Sequence, residues 1–216
     1  MKIVFKLLLL SIVLSIGMLS AQKYSVEAGF ISPKQNGTGL SDTYFNGIRV
    51  GALAEFDLPN NFSFLTGALY SVVYSNKVQK YSVSSDSVTY TTYGHYIDIP
   101  LRIQYSLPIG KDFRIFAFAG PNINVGLAMP QRVNAVLTND IAELTGIQSV
   151  DYGENDLFKE AMISRINFQM GAGGGVQWRN YQLKGGYDFG INSINKIDSS
   201  NTLRQSGWYV SLVYQF

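Results

Sequence analysis

The sequence predicts an all-β fold, an eight-stranded antiparallel up-and-down transmembrane β-barrel, on three observations. Polar and apolar residues alternate with period two almost from end to end, the apolar faces carry no charge, and the connections alternate between short and long. A strand turns successive side chains to opposite faces, so this alternation gives each segment one apolar and one polar face. The 216 residues fit one domain with a sizeable core. Charged residues are only 15% of the chain, against roughly 25% in an average soluble domain. With no cysteine and one histidine, a disulfide scaffold or a Cys/His metal site is disfavoured. A net charge of +2 argues equally against a basic nucleic-acid binder.

Residues 1–21 read as a secretory signal peptide. Lys2 and Lys6 make a short positive region, and Leu7 to Leu19 is an apolar run interrupted only by Ser11, Ser15 and Gly17. Ser20-Ala21 offers small residues for cleavage before Gln22. A spanning anchor would need about 20 apolar residues. Residues 22–216 then form the barrel domain, and without Lys2 and Lys6 this domain is formally neutral.

The eight strands follow in order. A weak first copy runs from Tyr24 to Phe30, then come Ile48–Phe56, Phe62–Tyr74, Ile97–Tyr105, Phe113–Leu127, Phe168–Trp178, Leu183–Ile191 and Trp208–Phe216. Their apolar faces, from Val26, Ala28 and Phe30 onward, contain no Asp, Glu, Lys or Arg. A soluble barrel would turn that face inward, whereas a membrane barrel turns it toward lipid. The opposite face carries Glu27, Arg49, Glu55, Asp98, Arg102, Arg114, Arg165, Lys184 and Asp188, together with Asn122, Asn124, Asn167, Gln169 and Gln177. An eight-stranded barrel is just wide enough for its own side chains to fill. These nine charges are therefore expected to pair as a lumen network, since unpaired ones would be costly there.

The second, fourth and sixth connections are short: Leu58 to Asn61, Leu107 to Asp112, and Arg179-Asn180. The first, third, fifth and seventh are long and polar, covering about Ser32–Thr43, Ser75–Thr92, Ala128–Arg165 and Asn192–Ser206. This is the asymmetry of an outer-membrane barrel, with turns on the periplasmic side and loops outside. Aromatic residues cluster toward one rim at Phe56, Phe62, Tyr105, Phe113, Trp178, Tyr181 and Phe216, and toward the other at Tyr70, Tyr74, Tyr93, Phe189 and Trp208. Such girdles suit the two membrane interfaces. In the last strand Trp208, Val210, Leu212, Tyr214 and Phe216 occupy every second position, a pattern that resembles the signal read by the bacterial barrel-assembly machinery.

Tyr96-Ile97-Asp98-Ile99-Pro100-Leu101-Arg102 resembles the "Tyr-X-acid-Ile-Pro-Leu" strand of PorT-like outer-membrane β-barrel proteins. Similar too are the aromatic strand closing in Ala119-Gly120-Pro121 and the glycine-rich strand at Gly171 to Gly175. The resemblance implies an eight-stranded barrel in the outer membrane of a Gram-negative, Bacteroidota-type bacterium. One member of that family is associated with a secretion apparatus for proteases and adhesins.

Candidate chemistry is sparse. His95, the lone histidine, would need a nucleophile or an orienting carboxylate to act as a base. Asp98 is the nearest in sequence but has the opposite parity, and His95 shares the phase of Ile97 and Ile99, which places it at the upper lipid-facing rim. Gly171-Ala172-Gly173-Gly174-Gly175 lacks the following helix and lysine of a phosphate loop. Its inward glycines are expected to make room for large side chains from opposite strands, such as Phe116, Phe118 and Arg102. Pro100 cannot donate to a ladder, so a bulge or ladder break is expected near Asp98. Asp140, Glu143, Asp151, Glu154, Asp156 and Glu160 form an acidic cluster in the fifth connection without the spacing of an EF-hand, and read as a solvated loop.

The expectation is a non-enzymatic membrane protein with a filled lumen, no catalytic residue, no cofactor and no metal. Its barrel would anchor long external loops for adhesion, scaffolding or envelope interactions. An accessory role in PorT-like protein secretion is the alternative, and an outer-membrane enzyme is disfavoured by the placement of His95. The expected partners are outer-membrane lipid, the barrel-assembly machinery, and envelope or secretion proteins, with no nucleic acid.

Overall fold

The computed structural model of the protein describes residues 22–38, 40–80, 87–136, 149–197 and 201–216, so the signal-peptide reading of residues 1–21 lies outside the described residues. Strands dominate: β1 (Gln22–Gly37), β2 (Leu40–Tyr44), β3 (Asn46–Asp57), β4 (Phe62–Lys80), β5 (Ser87–Pro108), β6 (Phe113–Ala128), β7 (Pro130–Val136), β8 (Ser149–Asp156), β9 (Ile166–Trp178), β10 (Tyr181–Gly190) and β11 (Leu203–Gln215). Eight of them, β1, β3, β4, β5, β6, β9, β10 and β11, pair in this order as an antiparallel up-and-down ring. The ring closes where β1 meets β11, with partners running from Ser25↔Gln215 to Gly37↔Leu203. Each of these strands has at least the length a tilted strand needs to cross a bilayer, about 9–11 residues.

Side-chain direction follows the predicted phase. Val26, Phe30, Ile48, Val50, Ile103, Phe168, Met170, Val210 and Leu212 are all exposed on the outside. Their inward neighbours Glu27, Arg49, Arg102, Gln169 and Ser211 are buried. An apolar exterior around a polar interior inverts the pattern of a soluble fold and matches a lipid-facing ring. The girdle residues are exposed at both rims, with contacts such as Phe62–Tyr105 at 5.1 Å and Tyr74–Tyr93 at 5.1 Å between ring centroids. Phe56 departs from the expected girdle: it is buried, and its nearest ring is that of Phe64 on the adjoining strand, 6.2 Å away.

The short connections are tight. In the four-residue turn Leu58–Asn61, Asn60 and Asn61 both take positive φ, 62° and 64°, a left-handed conformation that Asn tolerates. The long connections are more ordered than their polarity suggests. β4 and β5 stay paired out to Lys80↔Ser87, so most of Ser75–Thr92 is strand. The fifth connection contains β7, paired with β5, and β8, paired with β7. Together these strands extend the wall as a four-stranded ribbon beyond the aromatic girdle. Both faces of such a ribbon meet water at its end, so its sequence shows no clean alternation, yet each strand still satisfies its neighbour's backbone groups.

Around Pro100 the ladder with β4 is interrupted between Thr66↔Leu101 and Leu69↔Asp98, and the ladder with β6 between Pro100↔Asn122 and Ile103↔Ala119. Register is unchanged across both gaps, so this is a ladder break. The bulge lies at His95/Tyr96 instead.

Placing an arginine at Ala172, mid-strand on the outer face, should cost roughly 2–4 kcal/mol in equilibrium unfolding from lipid vesicles. Val176→Arg, nearer the rim, should cost less because its side chain can snorkel. Wild-type protein should refold as a monomer only with detergent or lipid. A soluble β-rich monomer in plain buffer would overturn the lipid-facing assignment.

Candidate functional site

The interior is organised in tiers of polar side chains. In the middle, Glu27 of β1 is clamped by two cations, Arg49 Nη2 on one carboxylate oxygen and Lys184 Nζ on the other at 2.6 Å. Arg49 also donates from Nε to Ser211 Oγ at 3.2 Å, and its guanidinium lies 3.6 Å from the Tyr209 ring centroid. Beside this triad Arg102 pairs with Asp188 and donates to the carbonyl of Gly120, at the ladder break left by Pro100. Toward the long-loop end, Asp98 accepts from Ser71 Oγ at 3.0 Å and from Asn122 and Asn124 Nδ2, each at 2.9 Å. At the short-turn end, Gln104 and Gln215 donate to Glu55, while Arg114 donates to Gln215.

Eight of the nine predicted charges therefore line the interior. Arg165 does not: it sits just before β9, is exposed, and donates to the carbonyls of Gly126 and Leu127 at the end of β6. Its parity is inward, but the strand has already ended, so no lumen remains for it to enter. The interior holds the expected Phe116 and Phe118, and also apolar residues that a polar-inward reading overlooks. Leu53, Leu65 and Leu69 form one buried cluster and Phe116, Phe118 and Tyr209 another.

The glycine run of β9 explains how these rings fit. A Cβ at Gly173 would come within 2.5 Å of the Phe118 ring, one at Gly175 within 2.6 Å of Phe116, and one at Gly171 would collide with Asp188 and Arg102. Phe116 and Phe118 lie on the adjacent strand β6, directly across from Gly175 and Gly173, and so are neighbours of the glycines. The remaining voids here are small, about 40 Å³ around Asp98 and Gln205 and about 20 Å³ around Arg102 and Leu65. Each has room for about one or two waters.

An apolar cap closes the long-loop end. Phe45, Val73, Tyr96, Met129, Phe158 and Ile163 pack together, all buried. They come from the β2–β3 junction, the inner faces of β4 and β5, the β6–β7 break, and the turn after β8. Gly126 has no Cβ where the Phe158 ring lies, and Tyr96 Oη donates to Met129 Sδ at 3.4 Å. The turn is tied down by Asp156, which accepts from the backbone N–H of Phe158 at 2.9 Å and of Lys159 and Met129 at 3.3 Å. Partial burial pushes the Asp156 carboxyl up, but these three donors outweigh it and hold its pKa below the ordinary value.

His95 stands on the outer rim with Nδ1 2.7 Å from Tyr70 Oη, facing away from Asp98. Of the acidic cluster, Asp140 and Glu143 lie outside the described residues. Asp151 pairs with Arg132 and accepts from the Gly153 N–H, and that pair holds its pKa low. Among the described residues no group of three or more His, Asp or Glu is placed to hold a metal ion. The predicted assembly residues Trp208, Val210, Leu212, Tyr214 and Phe216 all point outward.

Glu27→Gln should destabilise the folded barrel by about 3–5 kcal/mol in urea unfolding from lipid, because two buried cations lose their shared carboxylate. Adding Lys184→Met should recover part of that loss. The Asp156 tether should be fully present above the ordinary carboxylate value of 3.8 and vanish as pH falls through its lower, folded-state value. Hydrogen exchange at the Phe158 and Lys159 amides should accelerate only in that acidic window, and in Asp156→Asn at neutral pH.

Among solved structures the chain is similar to Neisserial surface protein A, at 12% identity over 91% of this chain and 100% of that one, with a TM-score of 0.45. It is also similar to Ail, the attachment invasion locus protein of Yersinia pestis, at 13% identity over 90% and 98% of the two chains and a TM-score of 0.35. The N-terminal β-barrel domain of Pseudomonas aeruginosa OprF matches at 12% identity over 91% and 100%, with a TM-score of 0.33. These likenesses carry nothing about function. No curated protein matches the chain. The model of the outer membrane protein beta-barrel domain covers residues 14–196, most of the ring with its inward charges, and the chain belongs to that family of outer-membrane β-barrels.

Proposed function

We propose that the protein is a non-enzymatic outer-membrane anchor, whose closed barrel holds long external segments in place for adhesion, scaffolding or envelope interactions. One observation carries the reading: the middle of the lumen is filled by ion pairs and aromatic rings, with voids of only about 40 and 20 Å³, while the wall continues past the girdle as a ribbon. A filled barrel has little to transport. What it offers instead is a rigid base for the segments above it. The outward placement of His95, bonded to Tyr70 and facing away from Asp98, supports the non-enzymatic reading, since a base there lacks the orienting carboxylate it would need.

Within this proposal, residues 1–21 direct export, the β11 aromatics are read by the barrel-assembly machinery, and the short turns face the periplasm. The likeness of Tyr96–Arg102 to the PorT-like strand carries the alternative, an accessory role in protein secretion. Deletion of the gene separates the two readings. Loss of protease or adhesin export would favour the alternative, and intact export with reduced surface attachment would favour anchoring.

Purified protein in planar bilayers should show no stable, large-conductance open state, and reproducible porin-like conductance would overturn the filled-lumen reading. A tag placed within residues 150–160 should be accessible to antibody on intact cells. One placed within residues 108–111 should be hidden until the outer membrane is permeabilised, and the reverse result would invert the orientation.

A further inference from the structure

Among the described residues three interior charges have no ion pair: Asp98, which three neutral donors hold toward the long-loop end, and Glu55 and Arg114, which stand together at the short-turn end. Glu55 is 3% exposed and receives only neutral donors, Gln104 Nε2 at 3.4 Å and Gln215 Nε2 at 2.8 Å. Lys23 is its cross-strand partner, but the ammonium turns away to Asp57, at 2.6 and 2.7 Å from the two carboxylate oxygens. Arg114 donates to Gln215 Oε1 at 3.2 Å and has no carboxylate within ion-pair distance among the described residues. Gln215 thus stands between a carboxylate and a guanidinium, bonded to both and holding them apart by the width of one amide.

These groups line a hollow of about 320 Å³ shared by Lys23, Asp57, Glu55, Ser63, Ser106 and Arg114. Arg114 and Pro108 also line a second hollow of about 520 Å³, which extends the first. Ser63, 3% exposed, lines the first hollow, and its Oγ has no hydrogen-bond partner. A buried hydroxyl without a partner is costly and uncommon, as are a buried carboxylate and a half-buried guanidinium that lack opposite charge.

We infer that this end of the barrel binds a small zwitterion, with its ammonium on Glu55 and Ser63 and its anionic group on Arg114. A lone cation would satisfy Glu55 and leave Arg114 unpaired, and a lone anion would do the reverse. A ligand carrying both charges a few bonds apart satisfies the carboxylate, the guanidinium and the hydroxyl together. Two sources have this chemistry: a free amino acid or short peptide, and the ethanolamine phosphate headgroup of a phospholipid. The site lies at the opposite end from the cap and the ribbon, so its success or failure is independent of the anchoring reading.

The test is an NMR titration of the whole barrel refolded in detergent micelles, following the side-chain amides of Gln104 and Gln215. Dialanine is the peptide probe and glycerophosphoethanolamine the headgroup probe. Saturable shifts are expected with at least one of them, and the one that saturates identifies the source. N-acetylated dialanine and dialanine amide should each bind about tenfold more weakly than dialanine, as should glycerophosphocholine relative to glycerophosphoethanolamine, because each lacks one charge-assisted contact. Glu55→Gln should abolish the preference for a free ammonium, and Arg114→Gln the preference for a free carboxylate. Unsaturable shifts with both probes, or blocked analogues that bind wild-type protein as well as the free ones, would overturn the inference. Those arms need no variant to fold.

Discussion

In lipid, a strand cannot leave its backbone N–H and C=O groups to solvent, and every other feature of this protein depends on how that constraint is met. The β1–β11 seam meets it by converting an open sheet with two edges into a ring with none. Once the ring is closed, the two faces of every strand are assigned: one lies against hydrocarbon, the other against a narrow interior. Residues such as Val26 and Leu212, whose partners across the seam are Tyr214 and Ala28, face hydrocarbon and are apolar for that reason. The polar residues are displaced inward by the same step, and there they must satisfy one another.

That interior is crowded, which decides how it is satisfied. Glu27 alone would be untenable so far from water, but Arg49 and Lys184 reach it from β3 and β10, on either side of the seam. Space for Phe116, Phe118 and the Arg102–Asp188 pair exists only because β9 presents glycines to them. The glycine run and the charge network are therefore one construction. Larger residues at Gly171 or Gly173 would displace the side chains that neutralise or pack around the buried charges. Pro100 belongs to it too, since the ladder break it creates leaves the Gly120 carbonyl available to Arg102.

Sequence reasoning reads best where one face of a strand meets lipid, because there the period-two contrast is greatest. The strand centres, the outward face, the rim position of His95 and the purpose of the inward glycines were all legible for that reason. Legibility fails where the contrast fades. Ser75–Lys80 and Pro130–Val136 are paired strands without clean alternation, since both their faces leave the membrane. Leu53, Leu65 and Leu69 break the polar-inward rule by packing on each other, which no single strand reveals. Arg165 has the right parity in the wrong place, one residue before its strand begins. The cap was invisible for a different reason: Phe45 stands just before β3 while Met129, Phe158 and Ile163 are scattered along the fifth connection, and the four share no local pattern. Which inward charges would meet depends on register around the ring, and parity alone says nothing about register.

The two ends of the lumen are closed by different physics. At the long-loop end the interior finishes in an apolar cap, with residues such as Phe45 and Met129 almost wholly buried. At the short-turn end the interior finishes in amides and unpaired charges, open to hollows of about 320 and 520 Å³. Tight turns explain part of the difference, because Leu58–Asn61 and Arg179-Asn180 are too short to fold back over the opening, whereas the turn after β8 reaches across it. The lumen therefore has two chemically distinct ends. On the anchoring reading proposed above the apolar end is the floor for the segments that stand over it, and on the proposed zwitterion site the polar end is where Glu55 and Arg114 would meet a solute.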